Sequence, residues 1–124
     1  MIKDQDSSIL CDPWFIDGEY YGSWCHYPPC TVKPDELNNV DGIYITHIHP
    51  DHFSIRTLEK MNKQIPIFIH KFHSDFLKRT IENLGFNVIE VEHDKRVNVK
   101  KNLNIRILAA DNCDPTLCFK YFGC

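Results

Sequence analysis

Val40-Asp41-Gly42-Ile43-Tyr44-Ile45-Thr46-His47-Ile48-His49-Pro50-Asp51-His52-Phe53 is the stretch from which the fold is read. Val40 to Thr46 is a short apolar run whose Ile43, Tyr44 and Ile45 are β-formers, so it predicts a buried strand. His47 to Phe53 then leaves that strand as a loop carrying three imidazoles and one carboxylate within six residues. Residues two apart in an extended stretch point the same way, so His47 and His49 can converge on one ion. Asp51 and His52 lie just beyond, at a turn, and can face a second. Imidazole nitrogen and carboxylate oxygen suit zinc, and iron and manganese are compatible with the same donors. A lone histidine near a strand end is usually structural, and a solvated polar loop is the bland alternative. The density of donors directly after an apolar strand favours the metal site.

Working outward, Ser8 to Cys11 reads as a short strand ending at the Asp12-Pro13 turn signal. Trp14-Phe15 followed by Gly18 and Gly22 suggests an irregular loop, and Tyr27-Pro28-Pro29-Cys30 a rigid extended stretch. Pro34 to Leu37 opens a brief helix. Ser54 suits the N-cap of a helix through about Lys60, with Ile55 and Leu58 on one face. Pro66 to Ile69 is a second apolar strand. Ser74 to Leu84 is the clearest helix, with Phe76, Leu77, Thr80, Ile81 and Leu84 at helical spacing and Gly85 stopping it. Strands are expected at Asn87 to Val91, then as a pair at Arg96 to Val99 and Leu103 to Leu108 around Lys100-Lys101-Asn102, and last at Thr116 to Phe122. Strands alternating with helices and then following one another point to a mixed α/β sandwich layer, as one domain over 1–124.

Composition fits a globular protein, with 43% hydrophobic and 25% charged residues. A net charge of -3 lacks the basic stripe that neutralises phosphates, so no nucleic-acid partner is expected. The polar start has no apolar signal region, and no run approaches the roughly 20 apolar residues that span a bilayer. The expectation is a cytoplasmic protein without a membrane partner. Of the six cysteines, Cys11, Cys25, Cys30, Cys113, Cys118 and Cys124, no two form a Cys-x-x-Cys pair. Buried or half-buried free thiols are therefore expected rather than a zinc ribbon.

The His-x-His-x-Asp-His pattern of residues 47–52 resembles that of the metallo-β-lactamase superfamily. Asp12-Pro13-Trp14-Phe15, Gly22-Ser23-Trp24, Pro28-Pro29, the Val40 to Ile45 run, Lys101-Asn102-Leu103 and Cys118 to Gly123 resemble one branch. That branch holds CMP-N-acetylneuraminate hydroxylase-like proteins and bacterial metal-dependent hydrolases. The resemblance implies an αββα sandwich with metals at one edge, of which this chain looks like the N-terminal half. It implies that His47 and His49 bind a first metal and Asp51 and His52 a second. Metal-activated water would be the nucleophile, and Asp51 would orient it or shuttle a proton. The superfamily draws further ligands from later in the chain. After the 103–108 strand there is no histidine here, and Asp111 is the best substitute, with a turn-capping role as the alternative.

Three functions follow as expectations. The first is a hydrolase using one or two zinc ions, acting on a small, sugar-derived molecule. The second is a component of a sugar-modifying oxygenase, although the paired Cys-x-His and Cys-x-x-His ligands of a Rieske cluster do not occur. The third is a half-domain without independent catalysis, working as a homo-oligomer or with a complementing chain, because an uncovered apolar sheet face marks an interaction site. His70, His73, His93 and His26 are weaker candidates, with surface, capping or supporting roles. Trp14 and Trp24 could wall a pocket or simply pack in a core.

Overall fold

The computed structural model describes residues 1–4, 6–100 and 103–109. Its main sheet has five strands in the order β1-β2-β3-β4-β5: β1 (Ile2–Asp4), β2 (Ser7–Cys11), β3 (Gly42–Ile45), β4 (Ile67–His70) and β5 (Val88–Val91). β2 to β5 run parallel, and β1 pairs antiparallel with β2 at the edge. The sequence reading did not include β1. All three of its residues are exposed, so it has no hydrophobic period to betray it. It is held by main-chain pairing with β2.

Period-two alternation splits each central strand between two faces. Leu10, Ile43 and Ile67 lie side by side in register, and they turn toward the helices with Ile45 and Ile69. There they meet Leu58 of α2 (Ile55–Glu59) and Leu77 and Ile81 of α3 (Phe76–Asn83). Ile43, Ile45, Ile67, Leu58 and Ile81 are fully buried. Each such side chain contributes roughly 1.5–3 kcal/mol of transfer free energy. The opposite row, Cys11, Tyr44, Phe68 and Ile89, faces the hairpin of β6 (Arg96–Lys100) and β7 (Leu103–Arg106), whose Val97, Val99 and Ile105 pack on it. Gly42 stands where these two layers press together. A Cβ there would meet Phe68 Cε2 at 2.7 Å and Val99 Cγ1 at 3.4 Å. Helices, sheet and second-sheet hairpin thus form the successive α, β and β layers of the expected sandwich.

Several expectations needed adjustment. α3 starts two residues later than Ser74, and Phe76 is 52% exposed rather than part of the buried stripe. Leu77, Ile81 and Leu84 define the stripe at four- and three-residue steps, and Phe76 is rotated off it. In α2, Leu58 is buried but Ile55 is exposed, and Thr57 is buried instead. Its hydroxyl accepts the Phe15 backbone N–H at 3.0 Å, which satisfies it in the interior. β7 ends at Arg106, short of Leu108. Cys11, Cys25 and Cys30 are free thiols, but Cys25 is exposed rather than buried. Burial pushes the Cys11 thiol up. The expected 116–122 strand, Asp111, Cys113, Cys118 and Cys124 lie outside the described residues. Among the described residues no helix is long and apolar enough to cross a membrane.

Candidate metal centre

The parallel strands deliver the site to their shared carboxyl edge, where open α/β sheets place ligands. β2 runs out at Asp12 and β3 at Thr46. The Asp12 backbone N–H donates to Tyr44 O at 2.9 Å, and Asp12 Oδ1 accepts the Thr46 N–H at 2.7 Å. The chain then turns tightly, with both His52 and Phe53 N–H donating to His49 O. Ser54 caps α2 as expected, its hydroxyl accepting the Thr57 N–H at 3.2 Å. His47, His49 and His52 are gathered, with ring centroids 4.6 Å apart for His47–His49 and 4.1 Å for His47–His52.

The hydrogen-bond network determines where the lone pairs point. The Thr46 hydroxyl donates to Asp12 Oδ2 at 2.7 Å, so its oxygen can accept the proton of His47 Nδ1, 2.9 Å away. Asp12 Oδ2 also takes the proton of His52 Nδ1 at 2.8 Å. A carboxylate has no proton to give. Both imidazoles are therefore held in the Nδ1–H form, with Nε2 left as an acceptor. Holding the remote nitrogen of each histidine in this way is how metal sites orient their imidazoles. Burial, then the neighbouring His52 and His49, hold His47 below its ordinary 6.5. It is thus kept in the neutral form that a cation requires.

Two close contacts remain, and in the first His49 Nδ1–H can donate to the lone pair of His47 Nε2. His47 Nε2 lies 3.0 Å from His49 Nδ1, and His52 Nε2 lies 3.3 Å from Asp51 Oδ2. Two donors sharing a zinc ion at about 2.0–2.1 Å stand roughly 3.3 Å apart in tetrahedral geometry. Both spacings suit that arrangement. The second pair is the more telling, since with His52 Nδ1 committed to Asp12 it sets an imidazole lone pair against a carboxylate oxygen. Only a positive charge between them, a proton or a metal ion, makes that contact favourable. Among the described residues no three His, Cys, Asp or Glu side chains converge on one point. What the described residues show is two close side-chain pairs, His47 with His49 and Asp51 with His52.

A second segment reaches the site from residues 14–26. Glu19 accepts the Ser54 hydroxyl at 2.6 Å, and the Tyr20 hydroxyl donates to Asp51 Oδ1 at 2.9 Å. Burial alone would raise the Asp51 carboxyl. The Tyr20 hydroxyl, the residue's own backbone N–H and nearby His52 and His49 outweigh it and leave it below the usual range. Burial, then the bond to Asp51, raises the Tyr20 phenol, so it remains a donor. The short helical turn α1 (Glu19–Gly22) is mostly left-handed, with φ of 49° at Tyr20, 61° at Tyr21 and 89° at Gly22. Such a conformation costs a non-glycine residue roughly 1–2 kcal/mol. Trp24 and Trp14 pack in an aromatic cluster: Trp24 lies 4.6 Å from the Tyr20 ring, Trp14 lies 6.3 Å from Trp24, and His26 lies 4.2 Å from Trp14.

The remaining histidines are engaged elsewhere. His26 pairs with Asp17 through Nδ1 and approaches Trp14 O through Nε2, so it braces the aromatic loop and is not a ligand. His70 Nδ1 meets Val91 O at 3.2 Å, and His93 Nδ1 accepts the Ala109 N–H at 3.1 Å. An apolar cavity of about 320 Å³ lies between the sheet and the hairpin, lined by Ile9, Cys11, Tyr44 and Ile105 among others, and none of the 47–52 donors borders it. Sequence reasoning missed Asp12, Thr46 and Tyr20 as parts of the site. Asp12-Pro13 was visible as a turn and as part of the branch resemblance but had no role in the site, because its partners stand 34 and 40 residues away.

Residues 7–120 match the family model described as a beta-lactamase superfamily domain. A Mycolicibacterium smegmatis protein named as a Rieske 2Fe-2S iron-sulfur protein is 33% identical over 115 residues, covering 88% of this chain and 22% of the relative. The cytidine monophosphate-N-acetylneuraminic acid hydroxylase of Xenopus laevis is 36% identical over 75 residues, covering 56% and 12%. The chain thus spans about a fifth or less of these relatives. Among solved structures, a possible metal-dependent hydrolase from Veillonella parvula superposes with a TM-score of 0.62 at 20% identity, covering 78% of this chain and 39% of that one. Isothiocyanate hydrolase from Delia radicum gut bacteria gives 0.58 at 19% identity, with the same coverage.

Proposed function

This chain belongs to the beta-lactamase superfamily, and from that membership we propose that it carries the first metal ligands of a metal-dependent hydrolase. His47 and His49 hold one ion, and Asp51 and His52 a second, zinc being the best match to these donors, with iron or manganese as alternatives. The observation that carries this reading is the contact of His52 Nε2 with Asp51 Oδ2, two acceptors 3.3 Å apart with the other imidazole nitrogen already committed. Bound ions would acidify a water molecule and polarise the scissile group. The chain's own residues prepare for this. Thr46 and Asp12 keep His47 and His52 in the correct tautomer, and Tyr20 anchors Asp51. Asp51 would orient the attacking water or shuttle its proton. Asp111 is a candidate further ligand.

A small, sugar-derived substrate is favoured by the names of the hydroxylase relatives. A second reading, as a module of a sugar-modifying oxygenase, draws on the Rieske names of the mycobacterial relatives. Elemental analysis separates the two. The hydrolase reading expects one or two zinc, iron or manganese ions per chain without inorganic sulfide. It also expects loss of at least one ion in the His47→Ala, His49→Ala double variant. Metal content near zero in protein prepared without chelators would overturn it.

A further inference from the structure

Tyr20 and Glu19 are consecutive, and they fasten the aromatic loop to the metal loop at two nearby points. Glu19 takes the Ser54 hydroxyl, and Tyr20 gives its own hydroxyl to Asp51 Oδ1. The backbone accepts an unfavourable left-handed conformation at Tyr20 and Tyr21 to do so. That conformation is held from both sides. Gly18 N–H donates to Trp24 O at 2.8 Å, Trp24 N–H to Glu19 O at 3.1 Å, and Arg56 Nη1 to Asp17 O at 3.2 Å. A loop that needed only to bury Tyr20 could do so with ordinary dihedrals. This one aims the phenol at a single carboxylate oxygen.

We propose that Tyr20 is a positioning residue: by capping Asp51 Oδ1 it fixes the carboxylate plane and presents Oδ2, uncapped, to the point shared with His52 Nε2. The inference rests on the metal reading above for its consequence, but not for the contact itself. Positioning groups of this kind typically change metal affinity by 10- to 100-fold.

Tyr20→Phe tests this, because it keeps the ring against Trp24 and removes only the hydroxyl. The full chain is stripped of metal and titrated with cobalt(II), followed by calorimetry and by visible absorption. The variant should bind at the Asp51–His52 pair about 10-fold or more weakly. The His47–His49 pair should be left within about twofold, and Tyr21→Phe, which removes the hydroxyl of the exposed neighbouring tyrosine, should change neither. In metal-free protein the Asp51 carboxyl carbon resonance, assigned by its loss in Asp51→Asn, should move in Tyr20→Phe while the other aspartate signals stay in place. Unchanged affinity together with an unmoved resonance would overturn the proposal. If the parent chain takes up no cobalt, the metal reading fails by itself, and the carbon resonance still decides whether Tyr20 holds Asp51.

Discussion

At the scale of single residues, Asp12 carries more of the site than its position suggests. Its two oxygens take the Thr46 N–H, the Thr46 hydroxyl and the His52 Nδ1 proton. It thereby sets the tautomer of His52 directly and that of His47 through Thr46. Its φ of 42° is one that aspartate tolerates better than most residues. Asp12→Asn replaces one acceptor oxygen by a donor, so either Thr46 or His52 loses its partner. The expected result is a metal affinity lower by about 10- to 100-fold, measured by cobalt(II) titration, with the circular dichroism spectrum unchanged. None of this was legible in the 47–52 motif. A motif names the ligands, while the groups behind them come from another strand and are recognised only when β2 and β3 lie side by side.

At the scale of elements, α2 joins the core to the site. Ser54 opens it, accepting the Thr57 N–H and donating to Glu19, and both Ser54 and Thr57 are fully buried. Ser54→Ala removes the cap and leaves Glu19 without that donor. It should lower stability by about 1–2 kcal/mol in chemical denaturation. The Ser54 cap was readable because caps obey a local rule. The exposure of Ile55 and Phe76 was not, since an apolar residue beside a stripe looks the same in sequence whichever way the helix is rotated. Nor was β1, which lacks any alternation, or the left-handed turn at Tyr20 and Tyr21, where no glycine marks the unusual dihedrals.

At the scale of the whole molecule, Asp41 ties three strands together. It accepts the Ser8 N–H of β2 at 2.8 Å, stands directly before β3, and pairs with Lys100 at the end of β6. Lys100, and after it the Ser8 N–H, hold the Asp41 carboxyl below its ordinary 3.8. The folded form therefore binds this proton less readily than the unfolded chain does. The stabilisation is complete above the unfolded value and is lost as pH falls through the lowered one. Denaturant midpoints of the parent chain and Asp41→Asn should differ at neutral pH and converge below about pH 4. A constant gap across that range would show that the clamp between the sheet and the hairpin contributes nothing through charge.

By itself the sequence determined what depends on neighbours along the chain: the buried strand, the imidazole-rich loop after it, the Ser54 cap, the Gly85 stop and the closeness of His47 to His49 and of Asp51 to His52. Local periodicity and donor chemistry are sufficient for these. Tertiary structure alone decided which groups stand behind the ligands. Asp12 and Tyr20 reach the loop across 34 to 40 and 31 residues of chain respectively, and proximity of that kind is created by strand register and loop packing, to which no spacing rule applies.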